Sequence, residues 1–132
     1  MKKILIIDDE KDVRESMAKA LGRAGFEVSL AETGSAGMQA YRRGSADLII
    51  TDVIMPGLNG ADLIKELRQA GCAAPIIAIS GGGNLEPQGY APEAITTSAY
   101  LAAAEKAGAD AVLTKPFERK DLLELVDSVL AR

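Results

Sequence analysis

Apolar residues follow two different spacings along this chain, and the two spacings alternate. Short continuous runs rich in isoleucine and valine are typical of buried strands, whereas apolar residues that recur every three or four positions are typical of helices packed on one face. The runs predict five strands, at 3–7, 26–30, 48–52, 75–80 and 111–114. The wider spacing predicts a helix after each strand, at 12–24, 33–43, 61–70, within 92–107 and at 118–131.

Local signals mark where the first two helices start and stop. Asp12, with Glu15 three positions later, predicts the N-cap of the first helix, and Gly25 predicts its end. Either Thr33 or Ser35 is expected to cap the second helix. The expected buried stripe of the first helix consists of Val13, Met17, Ala20, Leu21 and Ala24.

Five alternating strand–helix units predict an α/β fold in which a parallel sheet is covered by helices on both faces. The natural strand order for five such units is 2-1-3-4-5, the flavodoxin-like doubly wound arrangement. Leu48–Asp52 is too apolar for a solvated strand and is predicted at the centre of the sheet, while the more polar second strand is expected near an edge. With 132 residues, no repeat and no linker, the sequence predicts one domain over 1–132 without an output domain.

Composition excludes several classes of function. The net charge of −4 argues against non-specific nucleic-acid binding, which depends on clustered lysine and arginine. The absence of histidine excludes imidazole metal ligands and any histidine phosphodonor within the chain. The single cysteine, Cys72, cannot form an intramolecular disulfide, and no apolar run is as long as a signal-peptide core or a membrane span. We therefore expect a cytoplasmic location without membrane association.

Polar residues stand at the ends of four of the predicted strands. They are Asp8 and Asp9 after the first strand, Asp52 at the end of the third, Ser80 at the end of the fourth and Lys115 after the fifth. Taken singly, each has a structural explanation as a helix cap, an Asx turn or a solvated charge. Taken together, they lie at the carboxyl ends of neighbouring strands, where parallel α/β sheets bind ligands, so a shared site is predicted.

Three carboxylates in one crevice repel each other, and a divalent cation relieves that repulsion. A site with oxygen ligands only favours a hard ion, so Mg²⁺ is expected. Beside such an ion Asp52 could attack phosphorus, because aspartyl carboxylates are competent nucleophiles in phosphoryl transfer. Lys115 would counter the charge of the transferred phosphoryl group, and Ser80 would form a hydrogen bond to it.

Longer motifs around these residues cover essentially the whole chain. They are Ile6-Ile7-Asp8-Asp9-Glu10, Thr51-Asp52-Val53-Ile54-Met55-Pro56-Gly57 with Gly60, Ile79-Ser80, Gly108-Ala109-Asp110 and Leu113-Thr114-Lys115-Pro116-Phe117. In this order they resemble the receiver domain of two-component response regulators, in particular the single-domain chemotaxis type.

The resemblance implies a phosphorylation-dependent signalling switch of a phosphorelay, not an enzyme that turns over a separate substrate. Asp52 would accept a phosphoryl group from a histidine kinase or a histidine phosphotransfer protein. The implied Mg²⁺ ligands are Asp8, Asp9, Asp52 and the backbone carbonyl of Ile54. Ser80 would be the switch hydroxyl, and Lys115, whose bond to Pro116 is often cis in this family, would contact the phosphoryl group. The signal would reach a protein target through the loop and helix after the fourth strand and through the fifth strand.

The sequence departs from the family pattern in three places. Val112 stands where the family usually carries Tyr or Phe, so signalling through an aromatic side chain there is not expected. Gly81–Thr97 belongs to a segment longer than the family norm, which we interpret either as a mobile, adapted signalling surface or as a tolerated insertion. Ile54 and Gly82, at the positions that usually tune hydrolysis, cannot orient a water molecule, so slow self-dephosphorylation is expected.

Two other functions remain open at this level. A Mg²⁺-dependent phosphohydrolase also uses an aspartyl nucleophile, but it needs a second carboxylate two residues later, where this chain has Ile54. A receiver-like scaffold that is never phosphorylated would not need the complete set of site residues. Turnover of a phosphoester tests the first alternative, and modification that depends on Asp52 tests the second.

Overall fold

A five-stranded parallel sheet organises the chain in its computed structural model, which describes residues 1–44, 46–55, 58–80, 102–115 and 117–131. The strands are β1 (Lys3–Ile7), β2 (Glu27–Ala31), β3 (Leu48–Asp52), β4 (Ile54–Met55), β5 (Leu58–Asn59), β6 (Ile76–Ser80) and β7 (Ala111–Thr114). The helices are α1 (Lys11–Arg23), α2 (Gly34–Arg43), α3 (Gly60–Gln69), α4 (102–107) and α5 (Arg119–Leu130). Within these ranges, no helix combines the length and the apolar character that crossing a membrane requires.

The main sheet has the strand order β2-β1-β3-β6-β7, and every neighbouring pair in it is parallel. Since β6 and β7 correspond to the fourth and fifth predicted strands, the predicted order 2-1-3-4-5 is confirmed, with the polar second strand at an edge. β4 and β5 form a separate antiparallel pair between β3 and α3, where the sequence predicted no strand. Two-residue strands carry no measurable periodicity, so the apolar pattern could not reveal them.

β3 lies at the centre of the sheet and is buried along its whole length, as its apolar run predicted. Two hydrophobic cores form around it, because successive residues of a strand point to opposite faces. On one face Ile49 belongs to a cluster with residues of α2 and α3, such as Leu67. On the other face Ile50 belongs to a cluster with Leu21 of α1 and Val126 of α5. The sheet is therefore covered on both sides.

Helix α1 begins earlier than predicted, and the prediction that Asp12 caps it was wrong. Glu10 occupies the N-cap position with extended backbone angles, and Asp12 lies inside the first turn. The turn before the helix is closed by Asp8, whose Oδ1 accepts a hydrogen bond from the Glu10 N–H at 2.8 Å. The capping-box spacing of Asp12 and Glu15 could not reveal this, because the helix start depends on a turn that Asp8 closes before the helix begins.

Helix α1 ends just before the predicted glycine, but the next strand starts one residue later than predicted. Gly25 has φ +100, a left-handed conformation that glycine adopts without steric cost. The Phe26 N–H then donates to the Leu21 carbonyl at 3.1 Å, so β2 starts at Glu27. Ala24 was predicted to belong to the buried stripe of this helix, but it is exposed because the helix has already ended.

An arginine near the end of α3 ties together the starts of β6 and β7. The Arg68 guanidinium donates to the carbonyls of Cys72, Ala74 and Gly108, and it pairs with the Asp110 carboxylate at 2.8 Å. The same carboxylate accepts the N–H of Ile76, the first residue of β6, at 2.9 Å. These contacts, which form the Arg68 bracket, fix the position of β6 relative to β7. The opposite end of β6 carries Ser80, and Lys115 follows the opposite end of β7.

Helix α2 packs unusually close to β1. Thr33 starts the helix, because its Oγ1 accepts a hydrogen bond from the Ala36 N–H at 3.0 Å, which decides between the two predicted caps. One turn further on, Gly37 faces β1 so closely that an added Cβ would lie 2.4 Å from Ile7 Cδ1. Ile7 is fully buried, so its side chain has little room to move away.

We expect Gly37→Ala to lower the free energy of unfolding by about 1–3 kcal/mol, the range for overpacked cores. Gly22→Ala in α1 is the matched control, because nothing lies within 4 Å of its added Cβ. The control should gain about 0.5–1 kcal/mol from the better helix propensity of alanine. Urea unfolding followed by circular dichroism measures both, and equal effects of the two substitutions would contradict the close approach.

Candidate functional site

The carboxyl ends of four strands meet at one edge of the sheet, and strand pairing fixes their heights. The register pairs Asp52 with Ile79 and Ser80 with Thr114. Pairing continues beyond β7, since the Lys115 N–H donates to the Ser80 carbonyl at 2.6 Å. The residues that end or follow β1, β3, β6 and β7 therefore converge at this edge, as the strand order predicted.

Lys115 lies at the centre of this edge, surrounded by carboxylates. Its Nζ is 2.8 Å from Glu10 Oε1, 2.9 Å from Asp52 Oδ2 and 3.2 Å from Asp8 Oδ2. The side chains of Lys115, Asp52 and Asp8 are at most 9% exposed, whereas that of Glu10 is 35% exposed. Among the residues that the structure describes, one ammonium and three carboxylates form this cluster, so they carry an excess of negative charge in a poorly hydrated place.

Burial and charge act in opposite directions on this cluster. Burial opposes the charge on Lys115, but the hydrogen bond to Glu10 and the charge of Asp52 outweigh it and raise the pKa of the ammonium above its ordinary value. For Asp8 burial dominates and raises the pKa of the carboxyl, although the hydrogen bond from the Glu10 N–H and the charge of Lys115 partly offset it. Lys115 therefore stays charged. Keeping the Asp8 carboxyl ionised, in contrast, costs desolvation free energy.

The carboxylates form a group that suits a hard divalent cation. Asp8, Glu10 and Asp52 each place an oxygen so that the three atoms lie within 4.8 Å of one another. Asp8 Oδ2 is buried and has no hydrogen-bond partner in the part of the chain that the structure describes, although Lys115 Nζ lies near it. An oxygen-only donor set with excess negative charge is what Mg²⁺ prefers among common cellular cations.

A buried arginine, which the sequence reading missed, fixes the backbone of Asp8. One nitrogen of the Arg14 guanidinium donates to the Asp8 carbonyl at 2.8 Å, and another lies 3.7 Å from Glu32 Oε2. The Asp8 N–H donates to the Ala31 carbonyl at 3.1 Å. Both backbone groups of Asp8 are therefore held, which directs its carboxylate into the cluster. Periodicity did not single out Arg14, since a charged residue next to an apolar stripe usually lies in solvent.

The structure brings together three of the predicted side chains and adds one. Asp8 and Asp52 both contact Lys115, and Glu10 joins them although the sequence predicted no role for it. Its only sequence signal is its place directly after the two aspartates. Asp9 is exposed and lies outside the carboxylate group, so its predicted role as a metal ligand stays a prediction.

The structure describes some of the remaining predicted positions, and others lie outside the described residues. Ser80 ends β6 with its side chain fully buried, and its Oγ has no hydrogen-bond partner among the described residues. Ile54 lies in β4, close along the chain to Asp52. Val112 lies in β7, half-buried, and packs on the core beneath α2 and α3. The positions that lie outside the described residues are Pro116, Gly82 and the rest of Gly81–Thr97.

Comparison with known proteins assigns this chain to a family. The family model of the response regulator receiver domain matches residues 4–127, and the chain belongs to that family. It is 35% identical over 130 residues to the transcriptional regulatory protein CusR of Escherichia coli and 31% identical to the response regulator MprA of Mycobacterium leprae. Each match covers 98% of this chain, which spans about half the length of these curated relatives.

Solved structures agree with the family assignment. The chemotaxis protein CheY4 of Vibrio cholerae superimposes with a TM-score of 0.79 at 27% identity, over 98% of both chains. A response regulator from Chloroflexus aurantiacus gives a TM-score of 0.82 at 33% identity, over 99% of this chain and 98% of the other. The predicted family and fold are thus confirmed, and the chain is of the class that serves phosphorylation-dependent signalling in two-component systems.

We expect Asp8→Asn to raise the free energy of unfolding of the cation-free protein, because it removes a buried carboxylate from a cluster with excess negative charge. Burial raises the pKa of Asp8 in the folded state, so the stability that this group contributes is present below its ordinary pKa and is lost as pH rises through the raised value. Asp8→Asn should therefore also flatten the decline of stability above the ordinary pKa of aspartate.

Asp9→Asn is the matched control, because Asp9 is exposed, and its effect should stay within about 0.5 kcal/mol. Urea unfolding in EDTA at several pH values measures both variants. A clear loss of stability in Asp8→Asn at neutral pH would mean that the carboxylate stabilises the fold through Lys115 more than its burial costs.

Proposed function

We propose that Asp52 accepts a phosphoryl group and that the protein is a phosphorylation-controlled switch of a two-component phosphorelay. The observation that carries the proposal is the contact of 2.9 Å between Asp52 Oδ2 and Lys115 Nζ, inside a buried group of carboxylates at the carboxyl edge of the sheet. A nucleophilic carboxylate, a fixed ammonium and a cation-binding group are the parts that phosphoryl transfer to aspartate requires.

The phosphodonor lies outside the 132 residues of this chain, because the chain contains no histidine. A phosphohistidine of a histidine kinase or of a phosphotransfer protein supplies the group. An oxygen of Asp52 attacks phosphorus as the bond between phosphorus and the imidazole nitrogen breaks, and the leaving imidazole takes its proton from water. The product is an acyl phosphate on Asp52 and a neutral histidine on the donor.

Lys115 and Ser80 act on the transferred phosphoryl group. The ammonium already lies against Asp52, so it is within reach of oxygens attached there and counters their charge. The Ser80 hydroxyl is buried at the end of the neighbouring strand and donates a hydrogen bond to a phosphoryl oxygen. Its lack of a partner among the described residues supports this role, because buried hydroxyls are rarely left unpaired.

The proposed cation is Mg²⁺. Asp8 and Asp52 hold it, with Asp9 and the backbone carbonyl of Ile54 as the further ligands that the family resemblance implies. When bound, it neutralises carboxylate charge and the charge that develops on the phosphoryl oxygens. The oxygens of Asp8 and Asp52, which lie within 4.8 Å of each other in a group that also contains Glu10, support such a site.

The output of the switch is a change of surface. A phosphoryl group adds a charge of about −1.5 to −2 at one buried point. This charge draws Ser80 and Lys115 toward Asp52, and the movement alters the surface formed by β7 and by the loop and helix after β6. A downstream protein target reads that surface, without direct binding of nucleic acid by this domain. We propose that phosphoryl transfer takes place in the cytoplasm. The buried Cys72, which forms no disulfide, is in keeping with a reducing compartment.

We expect acetyl phosphate and Mg²⁺ to phosphorylate the wild type at about one equivalent per chain, as a receiver rather than a turnover enzyme does. Asp52→Asn should abolish the modification, because an amide is not a nucleophile at phosphorus. Asp62→Asn, an exposed aspartate in the first turn of α3, is the matched control and should behave as wild type.

Protein-bound label from ³²P-acetyl phosphate and the release of inorganic phosphate measure the outcome. Many equivalents released per chain would favour the phosphohydrolase. The absence of any Asp52-dependent label, together with no effect of beryllofluoride on the spectrum of the protein, would favour the unphosphorylated scaffold.

We also expect the isolated phosphoprotein to lose its label slowly, because Ile54 and Gly82 have no side chain that can orient an attacking water. Introducing a polar group with Ile54→Asn should speed the loss by about a hundredfold, the lower end of the range for a positioned proton acceptor or donor. Ile54→Val is the apolar control. The decay of ³²P label after removal of acetyl phosphate measures the rates, and rapid decay of the wild type would contradict the expectation.

A further inference from the structure

Glu10 occupies the N-cap of α1 but its side chain does not cap the helix. Its backbone is held on both sides, since its N–H donates to Asp8 Oδ1 at 2.8 Å and its carbonyl accepts the Arg14 N–H at 3.0 Å. The side chain instead reaches Lys115, which is 105 positions further along the chain, and Oε1 accepts a hydrogen bond from Nζ at 2.8 Å. This is the shortest of the contacts between the ammonium and the carboxylates.

Glu10 also differs from the other two carboxylates in its exposure. Its side chain is 35% exposed, compared with 5% for Asp52 and 0% for Asp8. Glu10 therefore contacts the ammonium from the side that solvent reaches. A carboxylate that water can partly hydrate carries its charge at lower cost than a fully buried one.

The proposed phosphoryl transfer changes the partners of Lys115. When an oxygen of Asp52 bonds to phosphorus, that carboxylate becomes a neutral acyl group, and the phosphoryl oxygens replace it as an anionic partner of the ammonium. Binding of a divalent cation by Asp8 competes with the weaker contact at 3.2 Å. Glu10 forms no bond to phosphorus and is not among the proposed cation ligands, so in this proposal it remains an anionic partner for the ammonium throughout.

We propose that Glu10 is a positioning residue for phosphoryl transfer, which holds the Lys115 ammonium at the site while Asp52 exchanges its charge for a phosphoryl group. The inference rests on the proposed function of Asp52. It assigns to Glu10 a role in the rate of transfer and not in the fold, because a partly exposed ion pair adds little to stability.

The test is the rate of phosphorylation by acetyl phosphate with saturating Mg²⁺. Glu10→Gln keeps the shape but replaces a charged acceptor with a neutral one, and it should slow labelling about tenfold, as expected for weakening one charge-assisted hydrogen bond. Glu15→Gln is the matched control, because Glu15 is an exposed glutamate of the same helix and the substitution changes the net charge equally. The control should label at the wild-type rate.

A double-mutant cycle with Lys115→Met distinguishes positioning from other roles. If Glu10 acts through the ammonium, Glu10→Gln should cause no further slowing in a chain that already carries Lys115→Met. Glu10→Asp keeps the charge but shortens the reach, and it should slow labelling while urea unfolding stays near the wild-type midpoint. This variant keeps the test decisive if Glu10→Gln folds poorly.

The outcomes separate this inference from the function it rests on. Glu10→Gln and Glu10→Asp labelling as fast as Glu15→Gln would overturn the role of Glu10 while leaving Asp52 as the acceptor. Equal slowing by Glu10→Gln with and without Lys115→Met would also overturn it, since Glu10 would then act elsewhere. Failure of the wild type to label at all, or labelling that survives Asp52→Asn, would instead overturn the proposed function.

Discussion

The attraction between one buried ammonium and three carboxylates is the interaction on which this site depends. Lys115 neutralises only part of the charge that Asp8, Glu10 and Asp52 bring to the edge of the sheet. Buried ion pairs are weak sources of stability, because desolvation offsets most of the Coulomb energy. The arrangement therefore contributes little to the stability of the fold, which is compatible with the role proposed for it in phosphoryl transfer.

The rest of the molecule supplies the stability that the site does not. Two apolar cores cover the sheet, and β3, which ends in Asp52, is buried along its whole length between them. The Arg68 bracket fixes the start of β6 relative to β7, and Arg14 fixes the Asp8 backbone. The Arg68 contacts lie at the opposite ends of β6 and β7 from Asp52, so the charge at the carboxyl edge can change without loosening the starts of these strands.

Local sequence patterns predicted a structural feature correctly where the residues that cause the feature all lie in one short stretch of the chain. The apolar run at Leu48–Asp52 predicted a central strand, and Gly25 predicted the end of α1, because burial on both faces and a left-handed turn each leave a direct mark on composition. The same approach failed at Asp12. Its capping signal is sound in isolation, but the Asp8 side chain closes the turn first, and that contact depends on how β1 leads into the helix.

The candidate site also has features that the sequence predicts and features that depend on distant contacts. Sequence order alone determined the strand order and therefore that Asp8, Asp52, Ser80 and Lys115 would end at one edge, because parallel strands point their carboxyl ends the same way. It could not determine which of two adjacent acidic residues, Asp9 or Glu10, turns inward toward Lys115. That choice depends on the backbone direction between β1 and α1 and on an ammonium that is distant along the chain. Only the tertiary structure decided it, because the distance between charges, and not their order in the sequence, sets their interaction.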